Sequence, residues 1–179
     1  MNYKRFLIRC LGVRILDFFS ITRRIKLYGY KRLLCLENLV SVHSHVIIYP
    51  HHPSPKGFVK ICKTGISIGK NCKIDDNVNI DTTGNVIIGN NVRTSVDVLI
   101  FTHTHNYNSN PMLPPNDITA STLKIDDGVV IGARAIILSS CHNIGKNARI
   151  GAGAVVTKDI PDNAIAVGVP AKVVKYLEM

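Results

Sequence analysis

The chain has 179 residues and a formal net charge of +10, which is long enough for one domain with a continuous core. Its five cysteines form no CxxC pair, and five is an odd number. These features exclude a fold stapled by disulfides and favour a reducing, cytoplasmic location.

Residues 1–35 are predicted to form a basic, amphipathic helical segment. Within residues 1–32, nine Lys and Arg residues stand against a single acid, Asp17, so most of the net charge lies here. Helical spacing is found at Ile8, Leu11, Ile15, Phe18 and Thr22. Arg9 and Arg14 interrupt the apolar run, which excludes a signal peptide, and the run is too short to span a bilayer.

Two interpretations of this segment remain open, and they can coexist. In one, the helix covers the first coil of the domain that follows. In the other, residues 1–32 lie on the anionic inner face of a membrane. Nucleic acid is not predicted as a partner, because the basic residues are not set among stacking aromatic side chains.

From residue 36 to residue 179 the chain is predicted to be one all-β domain built from six-residue repeats. Residues 36–59 indicate an irregular first coil, with Val40 and Val46 six positions apart. Beyond it, the sites of the repeat are Ile68, Ile74 and Ile80; Ile88, Thr94 and Ile100; Ile125, Ile131 and Ile137; and, after one inserted residue, Ile144, Ile150 and Val156. A six-residue period indicates a parallel β-helix of triangular coils, which must stack because one coil cannot bury its own apolar face.

Two segments break the repeat. Residues 102–123 contain three prolines and no periodicity, and a loop of that length within a compact domain is usually functional. We expect this loop to project from the β-helix. At the C-terminus, residues 171–178 are predicted to form a short closing helix.

Three motifs resemble those of the left-handed β-helix hexapeptide-repeat acyltransferases, in the sugar O-acetyltransferase branch related to galactoside and maltose acetyltransferase. They are the IG-x4 repeats, the IGAGAVVTKDIP run at residues 150–161 and the AVGVPAKVV tail at residues 166–174. The resemblance covers about residues 66–179, and the left-handedness rests on it. It implies a homotrimer with active sites between subunits, acetyl-CoA as co-substrate, no metal, and a saccharide acceptor. A surface polysaccharide or its precursor is the expected acceptor, with an amino-group acceptor left open.

The resemblance places the general base of the reaction on His105, at the foot of the projecting loop. A neutral imidazole can take the proton from a hydroxyl near neutral pH. His103 is the alternative, because residues two apart on an extended segment point the same way.

The same resemblance suggests residues for the two substrates. The N–H of Ala133 is expected to face the thioester, where a backbone donor stabilises the developing oxyanion. The cofactor contacts are expected at Ala133, Ala152, Thr157, Lys158 and Lys172. The acceptor contacts are expected at Asp75, Asp76 and Asp97. Cys141 is interpreted as a packed turn residue rather than a nucleophile.

Two other functions remain open. A zinc enzyme of carbonic-anhydrase type can use the same fold, with His103, His105 and His142 as ligands between subunits. A non-catalytic trimeric scaffold on a membrane is the second. His142 is itself a departure from the acyltransferase pattern, which has an aliphatic residue in this coil.

Overall fold

The structure is a computed structural model that describes residues 65–105 and 118–178 and, before them, six short strands. The described residues form 22 strands and no helix. In chain order the strands are β1 (Arg14–Ile15), β2 (Ser20–Ile21), β3 (Lys26–Leu27), β4 (Leu34–Leu36), β5 (Ser41–Val42), β6 (Ile47–Tyr49), β7 (Ile66–Ile68), β8 (Lys73–Ile74), β9 (Asn79–Asp81), β10 (Asn85–Ile88), β11 (Arg93–Thr94), β12 (Leu99–Ile100), β13 (His103–His105), β14 (Ile118–Ala120), β15 (Thr122–Ile125), β16 (Val130–Ile131), β17 (Ile136–Ile137), β18 (Asn143–Ile144), β19 (Arg149–Ile150), β20 (Val155–Val156), β21 (Ala164–Val167) and β22 (Lys172–Tyr176). In this part of the chain, no helix is long and apolar enough to cross a membrane.

Three sheets form the sides of a triangular coil. Sheet A contains β1, β4, β7, β10, β15 and β18; sheet B contains β2, β5, β8, β11, β16, β19, β21 and β22; sheet C contains β3, β6, β9, β12, β17 and β20. The coil strands pair in parallel, and each coil lies one strand spacing, about 4.8 Å, from the next. The predicted all-β fold, a stacked parallel β-helix, is confirmed.

The six-residue repeat fills the interior as predicted. Each of the twelve regular repeat sites is at most 3% exposed. In sheet A, Ile88 pairs with both Ile68 and Ile125, and Ile125 pairs with Ile144, so the sites form a continuous column. Because aliphatic side chains of successive coils stack, burial of each one depends on the neighbouring coil.

Two corners of the coil are tight turns with one residue in the left-handed region. Corner 1 joins sheet A to sheet B, and corner 2 joins sheet B to sheet C. The left-handed residues are Asn71, Asn91, Gly128, Asn147 and Asn163 at corner 1, and Asn77, Asp97, Arg134 and Gly153 at corner 2. Asn, Asp and Gly tolerate this conformation. Arg134, at φ 59°, is the exception among the described residues.

The third corner, corner 3, joins sheet C to sheet A and carries the projecting loop. The loop leaves the coil as an antiparallel hairpin of β13 and β14, in which His103 pairs with Ala120 and His105 with Ile118. At the foot of the hairpin, Ser121 N donates to Thr102 O over 2.7 Å. The loop predicted at residues 102–123 therefore begins where the sequence indicated but ends two residues earlier, because Thr122 and Leu123 already belong to β15. Residues 106–117 lie outside the described residues.

The predicted closing helix at residues 171–178 is wrong. Lys172–Tyr176 forms β22, which pairs antiparallel with β21 at the end of sheet B. The segment contains Val173, Val174 and Tyr176, which favour strands. The edge of β21 offers this segment the backbone hydrogen bonds that a short helix would have to supply for itself.

A continuous helix over residues 1–35 is also wrong. Strands β1, β2 and β3 lie in this segment and pair in parallel with β4, β5 and β6. The rest of the segment lies outside the described residues. The second coil has its register at Leu36, Val42 and Ile48, which pair with Ile68, Ile74 and Ile80, rather than at the predicted Val40 and Val46.

Candidate active site

A buried carboxylate lies where the third strand of one coil ends. Asp81 closes β9 and is 0% exposed. Its Oδ1 accepts from the N–H of Thr83 over 2.9 Å and from the Thr83 hydroxyl over 2.6 Å. Its Oδ2 accepts from the N–H of Thr102, one coil later, over 2.9 Å. Thr83, in the turn that follows β9, and Thr102, in the next coil, supply these donors.

Those donors keep the carboxylate ionised. Burial by itself raises the pKa of Asp81, but the hydrogen bonds from Thr83, His103 and Thr102 outweigh it, so the pKa is lowered from the usual value of 3.8. Asp81 is therefore a carboxylate at neutral pH. A buried negative charge of this kind needs a partner, and His103 supplies it.

His103 is held by that carboxylate. Its Nδ1 lies 2.6 Å from Oδ2 of Asp81, and its side chain is only 6% exposed. Because Asp81 is ionised and can only accept, Nδ1 of His103 carries a proton and donates it to Oδ2 of Asp81.

The two candidate histidines are in contact. The ring centroids of His103 and His105 are 5.3 Å apart with an angle of 80° between the planes, an edge-to-face arrangement. Both rings lie on the same face of β13, as the two-residue spacing predicted. Nδ1 of His105 is buried.

The foot of the hairpin is clamped against the coils. The Thr102 hydroxyl accepts from Gly84 N over 2.9 Å and lies 3.0 Å from the Asp81 carboxylate. Ser121 donates its hydroxyl to Ser139 O over 2.8 Å. A Cβ at Gly84 would lie 1.8 Å from Ser121 O, so only glycine allows this approach. These contacts hold the foot of the hairpin, and with it His103 and His105, in place against the coils.

Corner 2 collects residues predicted for both substrates. Asp75 and Asp76 lie at this corner of one coil, Asp97 follows in the next, and Ala133 and Ala152 continue the series. Of the acids, Asp75 forms an ion pair with Lys73 at 3.0 Å. Asp97 lies 3.6 Å from Arg134 Nε. These five of the sequence-predicted residues therefore fall on one edge of the β-helix.

The backbone of corner 2 differs from that of corner 1. At corner 1, a side chain of the next coil accepts from the turn: Asn90 Oδ1 from Lys70 N, Asp127 Oδ1 from Asn90 N and Asp162 Oδ1 from Lys146 N, each within 2.9 Å. At corner 2 the equivalent positions are Val96, Ala133 and Ala152, which have no acceptor side chain. Among the described residues, the N–H groups of these three have no hydrogen-bond acceptor. Corner 2 thus presents a stripe of backbone donors.

The small residues of this stripe leave room for a ligand. Ala133 and Ala152 have only a methyl side chain, and a Cβ at Gly153 would meet nothing within 4 Å, so the surface is open there. A smooth surface with spaced backbone donors fits an extended chain containing amide carbonyls and a thioester, such as the pantetheine arm of coenzyme A. The residues present therefore fit this co-substrate.

The other predicted cofactor residues divide between two edges. Thr157 and the exposed Lys158 lie at corner 3, on the edge that carries His103 and His105. Lys172 opens the exposed strand β22 and pairs with Val167 at the corner 2 end of sheet B. Sheet C separates the two edges: His103 is six positions after Asp97, a span of up to about 20 Å at 3.3 Å per residue. A single chain does not bring its two edges together.

Cys141 and His142 lie at corner 3, one coil after the hairpin. Cys141 is 0% exposed, and burial together with nearby Asp159 raises the pKa of its thiol to about 12. It packs in its turn, as predicted. The exposed His142 donates its backbone N–H to Asp159 Oδ1 over 2.6 Å. Among the described residues, no three His, Cys, Asp or Glu side chains are grouped so as to hold a metal ion. A zinc site from His103, His105 and His142 therefore has no support within one chain.

Sequence reasoning missed Asp81. The sequence feature that could have indicated it is the residue directly after the inward-facing residue of each strand in sheet C. This position holds Asp81 in one coil and Phe101, Leu138 and Thr157 in the later coils. An acid there, followed by two threonines, is unusual for a packed corner and indicates a buried polar network.

Comparison with known proteins agrees with this fold. Residues 60–82 and 122–158 match the family model described as the hexapeptide repeat of succinyl-transferase. The chain is 34% identical to a serine acetyltransferase of Salmonella typhimurium strain LT2 over 139 residues. The aligned region makes up 78% of this chain and 41% of that relative. The chain thus covers less than half the length of this relative.

Two solved structures share the architecture. One is the N-acyltransferase AntD from Bacillus cereus in complex with dTDP and 3-hydroxybutyryl-CoA, with a TM-score of 0.73, 15% identity, and coverage of 99% of this chain and 89% of that one. The other is a maltose O-acetyltransferase from Clostridium difficile 630, with a TM-score of 0.53, 26% identity, and coverage of 98% and 75%.

Proposed function

Because the chain belongs to the hexapeptide-repeat acyltransferase family, we propose that it transfers an acetyl group from acetyl-CoA to a hydroxyl of a saccharide. The observation that carries the proposal is the histidine pair at the foot of the hairpin, held by the buried Asp81 carboxylate at 2.6 Å from His103. An alcohol is a poor nucleophile until a base removes its proton, whereas a neutral amine needs no such base. A built imidazole site therefore favours a hydroxyl acceptor over an amine.

His105 is the proposed general base. Its Nε2 takes the proton as the acceptor oxygen attacks the thioester carbon. The carbon–oxygen bond forms, the carbon–sulfur bond breaks, and the same proton passes to the departing thiolate. No covalent enzyme intermediate is needed, which agrees with the raised thiol pKa of Cys141 at about 12. When bound, the thioester supplies an already activated acyl carbon.

The donor stripe of corner 2 is the proposed seat of acetyl-CoA. The N–H of Ala133 is the proposed donor that stabilises negative charge on the thioester oxygen, and this role tolerates any side chain. Ala152 leaves room for the pantetheine arm. Lys172 and Lys158, both exposed, provide positive charge for phosphate groups, and Thr157 completes the contacts. Lysine meets phosphate as a point charge rather than as a fork.

A complete site requires a second copy of the chain. Corner 2 holds the proposed thioester site, whereas the base lies across sheet C, up to about 20 Å away. Two neighbouring copies bring corner 2 of one against the hairpin foot of the other. We therefore propose the homotrimer predicted from sequence, with three equivalent sites. Light scattering that returns a stable monomer at micromolar concentration contradicts it.

The acceptor is proposed to lie beside Asp75, Asp76 and Asp97, on the coils before the Ala133 turn. Carboxylates are good acceptors for sugar hydroxyls. A saccharide acceptor is supported by the structural likeness to the maltose O-acetyltransferase, whose name states its substrate. A surface polysaccharide or its precursor fits the basic segment at residues 1–32, which would hold the enzyme on the inner face of a membrane.

An acceptor screen tests the function. The purified protein is incubated with acetyl-CoA and a panel of neutral sugars, amino sugars, nucleotide sugars and oligosaccharides, and released CoA thiol is measured. The expected product, separated from acetyl-CoA, is an oxygen ester, which alkaline hydroxylamine cleaves. In the control variant His105→Ala, kcat falls by about 10²–10⁴, while the KM for acetyl-CoA is unchanged because its proposed seat is corner 2. A product that resists hydroxylamine, as an amide does, contradicts the hydroxyl acceptor. Absence of thiol release with every acceptor contradicts acyl transfer.

A further inference from the structure

We propose that His103 and Asp81 act together as a positioning pair for His105. The three side chains form a series of contacts from Asp81 to His103 to His105, and His105, at the outer end of the series, is the base of the reaction. This inference rests on the proposed function and adds two residues to it. Asp81 was not among the residues that the sequence singled out, and His103 was only an alternative base. The structure gives each of the three a different environment.

The contact with Asp81 and the position along β13 separate the roles of the two histidines. The His103 side chain is 6% exposed and its Nδ1 is committed to Asp81 at 2.6 Å. A sugar ring cannot approach so enclosed a nitrogen without opening the hairpin foot. His105 lies two residues farther along β13, toward the tip of the hairpin. The outer imidazole is therefore the one that meets the acceptor.

The carboxylate fixes the state of the inner ring. Asp81 accepts from Thr83, Thr102 and His103 and is fully buried. It cannot rotate without breaking these bonds. The Nδ1–H of His103 therefore has one available acceptor, and the ring has one tautomer and one orientation. A neutral histidine without such a partner would exchange between two tautomers.

The edge-to-face contact with His103 also restricts the orientation of the His105 ring. With centroids 5.3 Å apart, rotation of the His105 ring about its side-chain bonds would press it into His103, which cannot yield. The contact also places the buried negative charge behind the pair. When His105 takes the proton from the acceptor hydroxyl it becomes an imidazolium, and the Asp81 carboxylate stabilises that positive charge through the polarised His103 ring.

The proton balance involves His105 alone. The proton moves from the acceptor hydroxyl to Nε2 of His105 and then to the thiolate of CoA. His103 keeps its Nδ1 proton and Asp81 stays ionised throughout. This is the behaviour of a positioning pair, as distinct from a relay in which a proton would pass along the chain.

The test compares the pH profile of kcat/KM in three variants, with acetyl-CoA and the hydroxyl acceptor found in the screen. In His105→Asn the ascending limb of the profile disappears, because the base is gone. In His103→Asn and Asp81→Asn the ascending limb remains, displaced in pH, and kcat falls about 10²-fold, the size expected for a misplaced base. The KM for acetyl-CoA stays constant in all three. Thr104→Asn, on the exposed face of the same strand, is the matched control and stays within about twofold of wild type.

A second measurement guards against misfolding of Asp81→Asn. Nitrogen-15 NMR of the wild-type protein with labelled histidine shows His103 protonated at Nδ1 at neutral pH, and His103→Asn identifies the signal. A His103 signal protonated at Nε2 overturns the inference. So does loss of the ascending limb in His103→Asn together with its survival in His105→Asn, which makes His103 the base. A wild-type protein that acylates no hydroxyl acceptor contradicts the proposed function instead.

Discussion

The backbone N–H of Thr102 donates to Oδ2 of Asp81 over 2.9 Å and joins two successive coils at the foot of the projecting hairpin. The Thr102 side chain strengthens the same junction, because its hydroxyl accepts from Gly84 N at 2.9 Å and contacts the carboxylate at 3.0 Å. Thr102 is 0% exposed. The site and the fold therefore share one buried polar network.

Thr102→Val is expected to destabilise the protein by about 1–3 kcal/mol, because valine keeps the shape and leaves the buried Gly84 N–H without an acceptor. Urea unfolding followed by circular dichroism measures the change. Thr104→Val, an exposed threonine of the adjoining strand, is the matched control and is expected to change the free energy of unfolding by less than about 0.5 kcal/mol. Equal losses in the two variants would show that the network adds nothing.

The lowered pKa of Asp81 predicts a loss of stability in acid. A carboxylate with a depressed folded pKa contributes stability that is fully present above its unfolded value, here 3.8, and is lost as the pH falls through the folded pKa. Unfolding free energies measured from pH 6 downward are therefore expected to fall more steeply below pH 3.8 in the wild type than in Asp81→Asn. Parallel curves for the two proteins would contradict the shift.

The thiol of Cys141 is expected to resist alkylation. A pKa raised from 9.0 to about 12 lowers the thiolate fraction at pH 8 by about 10³-fold, and the thiolate is the reactive form. Iodoacetamide labelling followed by peptide mass spectrometry measures the rate at this residue. In denaturant the same peptide should be labelled at the rate of an ordinary cysteine. Rapid labelling of the native protein would show that the turn opens readily.

Arg134→Gly is expected to stabilise the protein. Arg134 has φ 59° and its side chain is 81% exposed in its contact with Asp97, so the substitution relieves a left-handed backbone and removes only a weak surface ion pair. The expected gain is about 0.5–1 kcal/mol after the greater freedom of unfolded glycine is subtracted. Thermal unfolding measures it. Asn77→Gly, at the same corner two coils earlier, is the control and should show a smaller change, because asparagine already tolerates this conformation.

The interior of the regular coils was predictable from sequence because a β-helix repeats one environment. Each coil places an aliphatic residue at the same depth, and the register follows from counting by six. Thr94 was identified in the same way and is 1% exposed. The extra residue before Ile144 was also read from the spacing, and Ile144 keeps its place opposite Ile125.

The N-terminal strands were missed although the period was present. Ile15, Ile21 and Leu27 are six residues apart and pair with Leu36, Val42 and Ile48. Ile15, Phe18 and Thr22 also satisfy helical spacing, and the basic residues around them made an amphipathic helix the stronger interpretation. Short segments that satisfy two periods are decided by the partners they find, which a local pattern does not contain.

The contact between the buried carboxylate and the histidine pair was not predictable from sequence. His105 was singled out by the family resemblance and His103 by its two-residue spacing from it, whereas Asp81, which contacts His103, lies 22 positions before it. Contacts between successive coils join residues about twenty positions apart. Only the length of each coil decides which residues meet, and the corner insertions that set this length follow no period.

The hydrogen bond between Ser121 N and Thr102 O closes the hairpin at its foot, so the hairpin can change in length without changing the coils. Its two ends are joined at the coil, so the β-helix is complete without what lies between them. Doubling the length of such an excursion costs only about 0.6 kcal/mol in closure entropy. The length of chain between His105 and Ile118 can therefore change at little cost to the stacked coils.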